Sequence, residues 1–261
     1  MDKALVQVRR EGAVAWVTLD RAAKLNVLNS ALIAEAMHAF ADLGALDPPK
    51  VIVLRGAGRA FVAGADVREM RELDPNGARA FITSLHSLFA TIAGIPPLVI
   101  AAVHGPALGA GCELVAVCDL RIATEGATFG MPEVRVGMPS VIEAAVLVPL
   151  IGLGHTQHLV YTGDVIDARE AHRIGLINKV VPEAALETEA AALAQRLAAY
   201  SGTALRLQKS LVRRWYYNEA FDRAIKQGID HYASAFETAD PRDAIDAFLS
   251  RSEIRFDALG R

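Results

Sequence analysis

Apolar positions along the first third of the chain keep two different periods. Val6 to Val8 and Val14 to Leu19 are rich in β-branched residues and alternate, as half-buried strands do. Glu11-Gly12 between them predicts a hairpin turn. Asn29-Ser30 offers capping oxygens ahead of an Ala- and Leu-rich helix expected from Ala31 to Leu46, and Asp47-Pro48-Pro49 stops it. Val51-Ile52-Val53-Leu54 is then an unbroken apolar run, the pattern of a strand covered on both faces.

The order repeats. A helix from Gly77 to Ile92, closed by Gly94 and Pro96-Pro97, precedes a second buried strand, Leu98 to Val103. A helix from Gly109 to Val117 leads to a third, Leu120 to Ala123. Such alternation implies crossover connections and parallel pairing. After about Thr156 strand signals nearly vanish. Helical patterns dominate from Ala184 onward, with Pro182 and Pro241 near helix starts, where proline is tolerated. The expected fold class is α/β, a spiral-like core followed by a helical C-terminal region.

Composition narrows the function. Of 261 residues, 52% are hydrophobic and 22% charged, enough apolar surface for one large core and a subunit interface. With 6% aromatic residues and a net charge of -3, the chain lacks the basic, aromatic surface of a nucleic-acid binder. Arg213-Arg214, ahead of Trp215-Tyr216-Tyr217, reads as a helix face or a local anion contact. Cys112 and Cys118 have no accompanying ligand cluster, so neither a disulfide framework nor a zinc site is expected. His155 and His158 lack a carboxylate partner in sequence and read as helix-surface residues. No secretory leader and no run of about 18 apolar residues is evident, which makes a cytoplasmic protein without a membrane span the expectation.

Three stretches are unusual for a plain core. Gly56 to Met70 follows a buried strand, at the strand end where α/β proteins place their sites. His104 to Glu113 also follows a buried strand and opens a helix, whose first N–H groups are free to meet a developing negative charge. Glu113 stands three residues beyond Ala110, on the same helical face, so a backbone donor and a carboxylate converge. Taken alone, Glu113 reads equally well as a simple charge–dipole contact. Phe129-Gly130-Met131-Pro132-Glu133 places another carboxylate in a turn. The glycine patches lack the third glycine of a dinucleotide fingerprint, and no Gly-x-Ser-x-Gly elbow occurs.

Together these stretches resemble the crotonase (enoyl-CoA hydratase/isomerase) superfamily, over nearly the whole chain. Asp20 to Asn29 resembles the coenzyme A-contacting segment, Ala60 to Asp66 the first oxyanion-hole loop and Gly109 to Leu114 the second. Phe129 to Glu133 resembles the segment with the second catalytic carboxylate. The resemblance implies a ββα spiral core over residues 1–195 and a helical trimerisation region over 196–261, in a homotrimer or homohexamer. It implies an acyl-CoA thioester as substrate, with no cofactor beyond the coenzyme A that the substrate carries, no nucleic-acid partner and no metal. The implied acyl-CoA contacts are Lys24, Leu25, Ala63, Ala65, Asp66, Val67, Arg68 and Ala110. The amides of Ala65 and Ala110 would hold the thioester oxygen.

Two glutamates at this spacing imply the hydratase branch. Addition of water needs both a deprotonation of water and a protonation of the α-carbon, and two nearby carboxylates can share one proton. The resemblance implies Glu113 for water activation and Glu133 for proton delivery. An isomerase, a specialised hydratase or lyase, and a non-catalytic RNA-binding relative are the alternatives. Ser140 to Glu143 stands where relatives carry small residues, so Glu143 reads either as a third site carboxylate or as a helix-start residue. Ala23 and Arg68 stand where lysine is frequent, and the tail from Phe248 to Phe256 is less basic than in many relatives.

Overall fold

The computed structural model describes residues 4–45 and 47–216. β1 (Val6–Glu11) and β2 (Val14–Leu19) form the expected hairpin, with β1 extending to Glu11 along its mostly exposed edge. α1 (Ser30–Gly44) starts where Asn29 accepts a hydrogen bond from Leu32 N. β3 (Val51–Gly56) follows, then α2 (Val67–Arg71) and α3 (Pro75–Gly94), the latter capped by Asp74 with proline in its first turn. β4 (Leu98–Val103), the short β5 (Pro106–Leu108), α4 (Ala110–Val117), β6 (Leu120–Thr124) and β7 (Thr128–Gly130) complete the site-bearing part. α5 (Ala144–Ile151), α6 (Leu153–Thr162), β8 (Val165–Asp167), α7 (Ala168–Arg173), β9 (Lys179–Val181), α8 (Leu186–Ala198) and α9 (Gly202–Tyr216) follow.

The main sheet has the order β1-β2-β3-β4-β6-β9, parallel except for the β1–β2 hairpin. Its strands alternate between two apolar layers, as the twofold side-chain period requires. Val14, Trp16, Val51, Val53, Ile100 and Ala102 pack with Ala190 and Ala194 of α8 on one face. Ala15, Val17, Ile52, Leu54, Val99 and Ala101 pack with Leu32, Phe40, Leu85 and Phe89 of α1 and α3 on the other. That two-sided burial explains the unbroken apolar runs. A second small sheet, β5-β7-β8, stands beyond the ends of β4 and β6.

Two expectations need correction. Strands do occur after Thr156, as β8 and β9, each only three residues and thus too short to set a period. The Gly109 helix begins at Ala110, after the unforeseen β5. The helix start expected near Pro241 lies outside the described residues. Among the described residues, no helix is long and apolar enough to cross a membrane.

Candidate active site

The loop after β3 is threaded between two partners. Phe61 N donates to His104 O, Val62 N to Pro106 O, and Leu108 N to Val62 O. This makes a parallel bridge between Val62 and Ala107. Ala65 and Ala110 each stand three residues beyond that bridge, Ala110 as the first residue of α4. On its other side the loop pairs with the segment before α1. Ala63 N donates to Leu25 O, Leu28 N to Gly64 O and Asp66 N to Leu28 O. A parallel bridge through Gly64 and Asp66 turns the Ala65 N–H the other way. Among the described residues, the N–H groups of Ala65 and Ala110 donate to no protein acceptor.

Glycine makes this approach physically possible. A side-chain carbon at Gly111 would collide with Val62 O, so α4 starts tight against the first loop. Gly109 has φ 52°, and a side-chain carbon there would strike Glu133 Oε1. Glu133 thus lies directly over the turn that delivers Ala110.

Glu113 and Glu133 come together on this turn. Glu113, on α4, is only 4% exposed and its Oε1 accepts a hydrogen bond of 2.8 Å from Ala144 N. Burial pushes its carboxyl up to about 8; the charges of Glu133 and Glu143 add to the rise, and the Ala144 N–H opposes it. Glu133 sits in a 3-10 turn, Pro132–Val136, and its Oε2 accepts 2.8 Å from Ser140 Oγ. Cys112, beside them and fully buried, has its thiol pushed up to about 12 by burial and by the neighbouring carboxylates. It is a packing residue rather than a nucleophile.

The other sequence-selected positions divide into two groups. Lys24, Val67 and Arg68 are exposed, with no ion pair for either basic group among the described residues. Leu25, half-buried, takes a left-handed backbone at φ 51°. Asp66 caps α2 through a 3.0 Å bond from Arg68 N and pairs with Arg21 at 2.7 Å. Burial disfavours its charge, yet the Arg21 guanidinium and the cap hold its carboxyl below the usual range. Its side chain therefore holds the loop in shape.

Sequence reasoning missed several supporting residues. Asn26, fully buried, donates to the carbonyls of Ala57, Ala60 and Phe61 and accepts from Arg21 N, tying both segments together. Its signal was a polar residue between Leu25 and Val27, inside the segment that resembles the coenzyme A-contacting stretch. Ser140 and Ala144 reach the two glutamates from a segment whose folding back is not written in any period. Among the described residues no three side chains are grouped to hold a metal ion.

Two free amides near a pair of carboxylates suit chemistry that adds or moves a proton next to a carbonyl. The enoyl-CoA hydratase/isomerase family profile matches residues 9–258. The chain belongs to that family. It is 36% identical to the short-chain-enoyl-CoA hydratase of Clostridium acetobutylicum, covering 95% of this chain and 96% of that one. It is 35% identical to the crotonyl-CoA hydratase of Syntrophomonas wolfei, with 95% and 96% covered. The crystal structure of a Bacillus anthracis enoyl-CoA hydratase superposes with TM-score 0.93 at 29% identity, covering 98% of this chain and all of that one, 100%.

Proposed function

We propose that the protein is an enoyl-CoA hydratase that adds water across the 2,3 double bond of a 2-enoyl-CoA thioester. The observation that carries this reading is the pairing of Glu113 and Glu133 over the Ala110 turn, beside two unengaged amides. The Ala65 and Ala110 N–H groups bind the thioester oxygen, which draws charge from the β-carbon and stabilises the enolate-like intermediate. Each such donor is worth about 10²–10³ in rate.

Water held between the carboxylates adds its oxygen to the β-carbon. Burial and the neighbouring carboxylate charges raise the proton affinity of Glu113, and the pair holds one shared proton. In the division that the family resemblance implies, Glu113 takes the proton leaving the water and Glu133 delivers the proton that goes to the α-carbon. Transfer from Glu113 back to Glu133 resets the pair, and both hydrogens of the added water are accounted for.

Lys24, Leu25, Ala63, Val67 and Arg68 face the coenzyme A moiety in this reading, with Lys24 and Arg68 toward its phosphates. No cofactor beyond the substrate's own coenzyme A takes part. A homotrimer or homohexamer, a division into a 1–195 core and a 196–261 assembly region, and a cytoplasmic location belong to the same proposal; the mass in solution tests the assembly. A screen of 2-enoyl against 3-enoyl thioesters tests the reaction. Fast hydration of crotonyl-CoA is expected, and conversion of 3-enoyl substrates without hydration would replace the reading by isomerisation. The specific observation favouring that alternative, or a specialised hydratase, is a third carboxylate, Glu143, beside Glu113.

A further inference from the structure

Glu143 is unusual in three respects. It is 7% exposed, its Oε1 meets His86 Nδ1 at 2.7 Å, and its Oε2 is buried with no partner among the described residues. A carboxylate acceptor fixes the imidazole tautomer, so Nδ1–H donates. The preceding residue, Ile142, has φ 46°, a conformation that β-branched side chains rarely take. The following residue, Ala144, supplies the N–H that holds Glu113 Oε1 at 2.8 Å. The turn 142–144 is thus strained, anchored on α3 by His86, and in direct contact with the carboxyl assigned to proton transfer.

We propose that the His86–Glu143 pair is a positioning device for Glu113, clamping the 142–144 turn so that Ala144 N–H orients the carboxyl. This inference rests on the hydratase reading of Glu113. The groups that bear on Glu113 are Glu133 from the 3-10 turn and Glu143 from the start of α5, both raising its proton affinity. His86, on α3 and half-exposed at 54%, bears on Glu143, where burial raises and the imidazole lowers the carboxyl. Cys112, next to Glu113 on α4, stays a neutral thiol. Burial outweighs the imidazole, so the Glu143 carboxyl stands above its ordinary range, and the charge it carries when ionised disfavours ionisation of Glu113.

The roles separate in the pH profile of crotonyl-CoA hydration. In Glu143→Gln the limb of the kcat/KM profile that Glu113 sets should move down by about one unit. His86→Ala should lower kcat about tenfold with KM changed by less than about twofold, because the lost interaction is felt in the transition state. His86→Gln keeps an N–H for Glu143 and should recover most of that loss. A merely structural role would lower the thermal midpoint of these variants and leave that limb where the parent has it. An unmoved limb in folded Glu143→Gln, or an unchanged kcat in His86→Ala, overturns the proposal. Absence of hydration in the parent protein overturns instead the reading on which it rests, so the two failures are distinguishable.

Discussion

The two carboxylates of the site are held in unlike ways. Glu113 projects from a helix whose eight residues are all buried, and a backbone N–H fixes its orientation. Glu133 projects from a short turn, followed by the exposed residues Val134 to Gly137, and a serine hydroxyl reaches it from seven positions on. One side is a part of the core; the other is a loop laid over it. The lesson is that the Ala65 and Ala110 amides and the first carboxylate are over-determined by packing. The second carboxylate and the lining around it depend on a segment that can change without disturbing the sheet.

If this contrast is right, substitutions should divide the same way. The largest effect falls on the carboxylates themselves. Glu113→Gln and Glu133→Gln should each lower kcat by about 10³ or more with coenzyme A binding retained, because neither proton event has another carrier placed to perform it. Next comes the rigid turn. Ala110→Pro removes one amide donor at the first helical position, where proline's missing N–H does not break the helix. It should cost about 10²–10³ in kcat/KM while circular dichroism stays unchanged. Gly109→Ala should be comparably damaging for a different reason: it combines an unfavourable φ of 52° with a collision against Glu133. The smallest effect is on the loop side. Ser140→Ala removes one neutral hydrogen bond to Glu133, worth about 1 kcal/mol, and should lower kcat severalfold.

Stability against pH sharpens the same contrast. Glu113 has its folded-state pKa raised from 4.5 to about 8 by burial. Such a group favours the folded state only while protonated, so its contribution is full below the unfolded value and lost as pH rises through about 8. Thermal midpoints should therefore fall between pH 5 and 9, and Glu113→Gln should flatten that fall. A parallel pH dependence in the parent and Glu113→Gln would mean that this carboxyl is not buried as described.

Much of this was legible in the sequence, for identifiable reasons. Strands buried on both faces advertise themselves as unbroken apolar runs, so β3, β4 and β6 could be read directly, and the site loops then followed from their position at strand ends. Ala110 and Glu113 share a helix and therefore a fixed spacing. What could not be read were contacts made by folding back. His86 and Glu143 stand 57 positions apart with no common period. Asn26 earns its place through three carbonyls of another loop. β8 and β9 are too short to carry an alternation. Glu143, open in the sequence between a third site carboxylate and a helix-start residue, stands at the start of α5, makes no side-chain cap bond there and pairs with His86.

The central claim is that two glutamates share one water over a common pair of amides. Steady-state hydration of crotonyl-CoA by the parent protein and by Glu133→Gln, with coenzyme A affinity measured on both, tests it most directly. The account predicts rapid hydration by the parent, a loss of about 10³ or more in the variant, and equal coenzyme A binding. Near-normal turnover by Glu133→Gln would contradict it.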